Sequence, residues 1–344
     1  MPRYKILVVD DEEDNLALLY RSLRRDYDVS KAHCAREALE LLDQEDFQLV
    51  LSDHKMPEME GVDFLKLVSE KHPSTVRVLI TAYSDAKILI EAINKAKIYR
   101  YIKKPYQIEE LLMVVQSALE YYQLKSDNEK LIKDLKELFM GAVKAITEAL
   151  DAKDRFALGR SMRVCIYAVK TAESLNLPID DIGKIELASL LHDIGIIGID
   201  DAINNSSTYT QEEFEESKKH VFHSIKILED IKQLNEVREI IKYHHENYDG
   251  TGYPYGIKGE EIPIGSKIIA IADKFENLIS NKEGSPSMTN DEALKIIKEQ
   301  AGHEFDPNLV GAFESIVQNA QSAIREYEMS EKKERISEER LNIF

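Results

Sequence analysis

The chain is poor in cysteine, in positive charge and in long apolar runs, and each shortage excludes something. Its 344 residues include two cysteines, Cys34 and Cys165, far apart in the sequence. A disulfide scaffold is excluded, and free thiols in a reducing compartment are the simple reading. Lys and Arg number 45 against 63 Asp and Glu, for a formal net charge of −18. Such a surface does not suit extended contact with DNA, and a bound nucleotide would need metal ions or local basic groups to hold its phosphates. No apolar stretch approaches the length of a membrane span, and the N-terminal apolar run is too short for a signal peptide before it meets Asp10. The expectation is a cytoplasmic, bacterial protein that engages neither membrane nor DNA. With 43% hydrophobic residues over this length, each half of the chain has enough material for its own core.

In the first third, short apolar runs end in chemistry. KILVVDDE ends in Asp10 and Asp11, FQLVLSDHKMP carries Asp53, RVLITAYS carries Thr81, and YRYIKKPY carries Lys104 before Pro105. These runs alternate with amphipathic stretches at 13–25, 35–44 and 61–71, the pattern of a parallel sheet covered by helices on both faces. Ligands of such sheets bind at the carboxyl ends of the strands, where these five residues fall and where an acidic pocket suits Mg²⁺ and a phosphoryl group. An Asp pair after a strand is, by itself, more often a helix cap. The five positions together resemble the receiver domain of bacterial response regulators, from residue 3 to about 123. The resemblance implies a doubly wound, flavodoxin-like α/β domain of five parallel strands and a sensor histidine kinase as phosphodonor. It further implies Asp53 as phosphoacceptor, Asp10, Asp11 and Asp53 around Mg²⁺, Thr81 and Lys104 on the phosphoryl oxygens, and Tyr101 as an aromatic switch.

No Pro or Gly interrupts residues 107–140, which predicts a linker helix, overlapping the receiver's last helix and extending to 142. Taking Leu111 as heptad position a, the series runs through Val114, Ala118, Tyr121, Lys125, Asn128, Ile132, Leu135, Phe139 and Ala142. This reads as a coiled coil that would make a homodimer, or as one amphipathic helix packed on its own domains.

The remaining chain concentrates metal-ligand chemistry. His192 and Asp193 sit in ASLLHDIGIIG, where apolar neighbours would carry two polar groups into a helical core, and His220, the His244-His245 doublet and Asp273 follow. A lone His on an apolar face is usually a satisfied core residue. A set of imidazoles and carboxylates instead suits a divalent ion such as Fe, Mn, Zn or Ni, and one Asp can bridge two ions.

These residues resemble the HD-GYP family of the HD phosphohydrolases from about Lys136 to Phe313, through LHDIG at 191–195, HHENYDGTGYP at 244–254, GEEIPIGSKIIAIAD at 259–273 and FDP at 305–307. The resemblance implies an all-α domain, taken as 136–323 with a charged helical tail at 324–344, that hydrolyses cyclic-di-GMP at a metal site. It implies His192, Asp193 and Asp273 around one ion, and Asp193, His220, His244 and His245 around a second. His192 and Asp193 are the catalytic pair, and Gly252, Tyr253 and Pro254 form the loop that names the family. Four positions depart from the pattern. Arg160 stands where the family has its first metal-ligating His, Ile196 where it has a phosphate-contacting Lys, and the basic segments after the HD pair and after Asp273 are replaced by NNSST at 204–208 and by KFENLISNKEGSPSM. Arg160 either turns to solvent or takes the place of the first ion against Asp193 or Asp273. Two functions follow: a phosphorylation-controlled cyclic-di-GMP phosphodiesterase, or a degenerate module that binds a nucleotide or a protein without turnover.

Overall fold

The computed structural model describes residues 3–82, 96–153, 159–200, 203, 210–280 and 287–341. The chain divides into two compact units, Met1–Glu137 and Leu138–Phe344.

The first unit is a parallel sheet of β1 (Lys5–Val9), β2 (Asp28–Ala32), β3 (Leu49–Asp53), β4 (Val76–Thr81) and β5 (Arg100–Lys103), in the order β2-β1-β3-β4-β5. The helices α1 (Glu13–Leu23), α2 (Ala35–Gln44) and α3 (Gly61–Lys71) connect the strands. One apolar cluster packs Ile6, Val8, Leu51 and Val78 against Leu16 and Leu19 of α1, and the other packs Leu7, Val9, Val50 and Leu79 against Ala38 of α2 and Phe64 of α3. Burial on both faces explains why the central strands are continuous apolar runs rather than alternating ones. The register pairs Val9 with Ser52, Asp53 with Ile80 and Thr81 with Lys103. Asp53 and Thr81 therefore end their strands, and Asp10 and Lys104 follow theirs by one residue, all at the carboxyl ends of the sheet.

The linker helix, α4, spans Ile108–Lys153 and is longer than the sequence pattern predicts. The heptad series needs a correction. Its first members, Leu111, Val114 and Ala118, are buried in the receiver core. The most exposed apolar track beyond them runs through Leu124, Leu131, Leu135 and Leu138, each at least 66% exposed. The helix rotates about 20° per heptad against a 3.5-residue repeat, so a seam started on the sheet-facing side drifts off the exposed stripe.

The second unit is helical. It contains α5 (Arg160–Ser174), α6 (Ile179–Leu191), a 3₁₀ turn (Ile194–Gly198), α7 (Gln211–Ser217), α8 (His220–Ile227), α9 (Asn235–Lys242), α10 (Ile264–Ile279), α11 (Asn290–Glu299) and α12 (Pro307–Leu341). Tyr167, Phe275 and Phe313 meet at its centre, with ring centroids 5.2 to 5.9 Å apart. The helix α10 is buried on most sides, through Ile268, Ile269, Ile271, Ala272 and Phe275, and it carries Asp273 and Glu276 inside with them. His192 and Asp193 lie at the end of α6 and the start of the 3₁₀ turn rather than within a helix. The replaced loop at 204–208 and residues 281–286 of the segment after Asp273 lie outside the described residues. Among the described residues no helix is long and apolar enough to cross a membrane.

Candidate functional site

In the helical unit, three turns and one buried helix bring the six sequence-predicted ligands together. His192 donates its Nδ1–H to the Ser189 carbonyl at 2.8 Å, His220 does the same to Ser217 at 2.7 Å, and His244 to Ile241 at 2.6 Å. His220 and His244 are thereby fixed in the tautomer whose Nε2 lone pair is left for another partner, whereas the Nε2 of His192 faces the carboxylates of Asp193 and Asp273. Asp193 directs Oδ2 to within 3.2 Å of His192 Nε2 and Oδ1 to within 3.6 Å of His220 Nε2. His245 Nε2 lies 3.1 Å from His220 Nε2.

Ligand atoms of Asp193, His220, His244 and His245 lie within 4.8 Å of one another, and so do those of His192, Asp193 and Asp273. The first set fits a divalent ion well. His244 Nε2 is buried without a hydrogen-bond partner, and the Nε2 atoms of His220 and His245 meet at 3.1 Å, so three imidazole nitrogens converge beside Asp193 as an ion would require. The second set differs, because Arg160 Nη2 contacts Asp273 Oδ1 at 2.6 Å. Of the two roles open to Arg160, its guanidinium takes the one facing Asp273. Asn277 donates to the other oxygen of Asp273 at 3.1 Å. One turn further along, Arg163 Nε meets Glu276 Oε1 at 2.6 Å, so α5 and α10 are joined by two ion-pair rungs.

The charges settle accordingly. Burial opposes ionisation of Asp273, but Arg160 and His192 hold its carboxyl well below the usual range. Burial likewise opposes charge on Asp193, which His192, His220 and Arg160 keep ionised. Burial would lower His192, yet Asp193 and Asp273 raise it to about 10. Burial, with the neighbouring His192 and His220, pushes His244 down to about 3, and burial with His244 and His220 keeps His245 neutral. His192 and Arg160 thus balance the two acids, while neutral His244 keeps an open Nε2 lone pair.

Backbone proximity holds the ligands in place. Ser224, fully buried on α8, accepts from the Gly195 N–H at 2.8 Å and donates to the His192 carbonyl at 3.1 Å. A Cβ at Gly195 would lie 1.9 Å from the His220 carbonyl oxygen, so only glycine lets the HD turn seat on α8. Tyr253 stacks on His245 at 4.7 Å, and buried Glu246 accepts from the Tyr255 and Gly256 backbone N–H groups at 2.7 and 3.1 Å. Gly252 is equally confined, since a Cβ there would meet the Asn247 nitrogen at 2.2 Å. The loop of Gly252, Tyr253 and Pro254 is therefore fastened against the His doublet. Ile196 is half-buried on the 3₁₀ turn and brings no charge.

The receiver pocket is separate and simpler. Lys104 Nζ contacts Asp53 Oδ1 at 2.5 Å and Asp10 Oδ2 at 3.2 Å. Asp53 Oδ2 accepts the Lys55 N–H at 3.0 Å, and Thr81 is buried at the end of β4. Burial raises the carboxyl of Asp53 despite the opposing Lys104. Asp11 and Tyr101 are both exposed.

Sequence reasoning missed Ser224, Asn277 and Glu246. The first two lie four residues beyond His220 and Asp273, a spacing that shares one helix face and offered a usable signal. Glu246 shows its role only once its loop has folded back.

The model of the HD domain family matches residues 144–309, and that of the response regulator receiver domain matches residues 6–116. A "Cyclic di-GMP phosphodiesterase" of Thermotoga maritima is 32% identical over 332 residues, covering 90% of this chain and 89% of that protein. The "Cyclic di-GMP phosphodiesterase response regulator RpfG" of Xanthomonas campestris pv. campestris is 29% identical over 284 residues, covering 77% of this chain and 74% of that protein. The "3'3'-cGAMP-specific phosphodiesterase 2" of Vibrio cholerae is 31% identical over 209 residues, covering 59% of this chain and 40% of that protein.

Ser224→Ala tests whether the bridge between turn and helix positions the ligands. It leaves the Gly195 N–H unpaired and is expected to cost about 1–2 kcal/mol in denaturant unfolding. Affinity for Mn²⁺ or Zn²⁺ in a metal titration should fall about tenfold. Affinity equal to wild type would show that the turn holds its ligands without Ser224.

Proposed function

The chain belongs to the response regulators that join a receiver domain to an HD-GYP domain, and on that premise we propose that phosphorylation of Asp53 controls metal-dependent hydrolysis of cyclic-di-GMP. The observation that carries the reading is the convergence of His192, Asp193, His220, His244, His245 and Asp273, with the Nε2 of His220 and His244 freed by backbone acceptors. Residues 1–123 serve as receiver, 107–142 as linker, 136–323 as output domain and 324–344 as a charged tail. A sensor histidine kinase supplies the phosphoryl group, and Mg²⁺ is held by Asp10, Asp11 and Asp53. Thr81 and Lys104 receive the phosphoryl oxygens, and Tyr101 responds.

In the output domain a divalent Fe, Mn, Zn or Ni ion held by Asp193, His220, His244 and His245 supplies Lewis acidity toward the phosphate. The chain's own groups do the rest. Asp193, with His192 the proposed catalytic pair, orients the site by turning one oxygen to His192 and the other to His220, and the proton of the attacking water passes to solvent. His192 holds a proton between Asp193 and Asp273 for the departing 3′ oxygen. The new bond joins water oxygen to phosphorus, the bond from phosphorus to the 3′ oxygen breaks, and a linear dinucleotide leaves. Gly252, Tyr253 and Pro254 border the site through the stacking of Tyr253 on His245.

A second reading rests on the contact of Arg160 with Asp273 and on the neutral side chain at 196: the domain binds a cyclic dinucleotide or a protein without turnover. A permanent cation repels a divalent ion at that corner, so this reading and a weakened enzyme share one metal count.

The partner most consistent with α4 is a second copy of the chain. Leu124, Leu131 and Leu138 recur at heptad spacing with Leu135 beside them, all strongly exposed, and Asn128 stands in the same track. Burying such leucines against themselves offsets their cost in water, and a polar Asn in the seam favours a fixed parallel register.

Acetyl phosphate with Mg²⁺ should label the protein on Asp53, and Asp53→Asn should abolish the label; a mutant still labelled to wild-type level overturns the receiver assignment. Elemental analysis should find close to one tightly held ion per chain, lost in His244→Ala. Arg160→His with Ile196→Lys should bring a second ion and lower the barrier by about 2–4 kcal/mol in a cyclic-di-GMP assay. Two ions in the wild type, or a double mutant no faster than wild type, would remove Arg160 and Ile196 as the limiting positions. Light scattering should report a dimer that Leu131→Glu with Leu138→Glu converts to monomer, and an unchanged mass would exclude this seam.

A further inference from the structure

A phosphodiester brings negative charge to a site that already contains Asp193 and Asp273, and position 196 offers no cation. The cavity in front of the His doublet, about 430 Å³, is lined by His244, His245, Tyr253 and Asp273 together with Lys218 and Lys274. Lys218 follows the last residue of α7, and its Nζ stands 4.5 Å from the centre of the Phe214 ring and 5.4 Å from that of Tyr253. Tyr253 in turn stacks on His245, so this ammonium is one ring away from a metal-ligating imidazole. Lys274 is the residue after Asp273 on α10, and its Nζ lies 3.0 Å from Glu304.

Both lysines have acidic partners that water already reaches. Lys218 contacts Glu215 at 2.7 Å, and that carboxylate is 58% exposed; Glu304 is 31% exposed. Solvated pairs of this kind hold their partners weakly and are readily exchanged for another anion. An ammonium seated over aromatic faces also keeps its stem ordered while its charge remains available.

We propose that Lys218 and Lys274 are the phosphate-positioning groups of this chain, exchanging Glu215 and Glu304 for the phosphodiester oxygens of a cyclic dinucleotide. They supply from α10 and from the junction of α7 and α8 the positive charge that the HD turn lacks at Ile196. The inference rests on the reading of the site as one for cyclic dinucleotides, and it applies whether or not the bound nucleotide is cleaved. Because neither lysine is a metal ligand, its contribution is to substrate affinity and leaves metal content alone.

The test uses the full-length, metal-loaded protein and cyclic-di-GMP as the probe in calorimetry, with turnover followed in parallel. Lys218→Gln and Lys274→Gln should each weaken Kd about tenfold, and the double variant about a hundredfold. KM should rise with Kd while kcat falls by less than about threefold, the pattern of a contact made equally in ground and transition states. Lys218→Arg should keep Kd within about threefold of wild type, and the dependence of Kd on salt should become shallower in both glutamine variants. Variants that fold, keep their metal and bind within twofold of wild type overturn the inference while leaving the functional reading intact. Wild-type protein that holds its metal but does not bind the dinucleotide overturns both.

Discussion

The carboxylate of Asp273 has to be neutralised before the helical unit can close. It rides on α10, a helix buried on most sides, and a carboxylate taken out of water without a partner costs several kcal/mol. Arg160 meets that requirement at 2.6 Å, and Arg163 meets it for Glu276 one turn later. The two rungs align α5 with α10 and thereby set where Asp273 faces His192. A divalent ion and a guanidinium solve the same electrostatic problem at this corner, and they exclude each other. Among the described residues no guanidinium contacts the corner made by Asp193, His220, His244 and His245, and its imidazoles remain suited to an ion.

The same physics runs the receiver on a smaller scale. Lys104 sits between Asp53 and Asp10, a cation held by two acids at a sheet edge. On the proposed reading, a phosphoryl group on Asp53 would change what that cation faces without removing it, so that a charge added at one side chain would rearrange the residues around it. Lys218 and Lys274 follow this pattern in the other unit, each kept by a solvated carboxylate that an incoming phosphate displaces. In each case the fixed element is the cation and the variable one is its anion.

The helix α4 illustrates how an amphipathic pattern is divided between uses. Leu111, Val114, Val115, Ala118 and Leu119 close the receiver core, and the leucines that follow are left exposed. One continuous helix therefore carries one apolar face that is already satisfied and another that is not. The exposed face is where association is to be sought, because burial of apolar area drives it and an isolated helix gains nothing from leaving such residues in water.

Much of this was legible in the linear chain. Apolar runs ending in Asp10, Asp53, Thr81 and Lys104 determined a parallel sheet with a pocket at its carboxyl edge, because a sheet buried on both faces must be apolar along its length and polar where it ends. The His and Asp residues between 192 and 273 marked a candidate metal site, because buried imidazoles and carboxylates gathered together need a cation among them. What only the tertiary structure decided was pairing. Whether Arg160 faced solvent, Asp193 or Asp273 depended on the packing of α5 against α10, residues 113 apart in sequence. Which leucines of α4 stayed exposed depended on the face the receiver sheet had already covered. The roles of Ser224 and Glu246 depended on two turns folding back onto α8 and the His doublet. Periodicity reports which face of an element is apolar, but the partner of a charge is set by long-range contacts that local pattern does not encode.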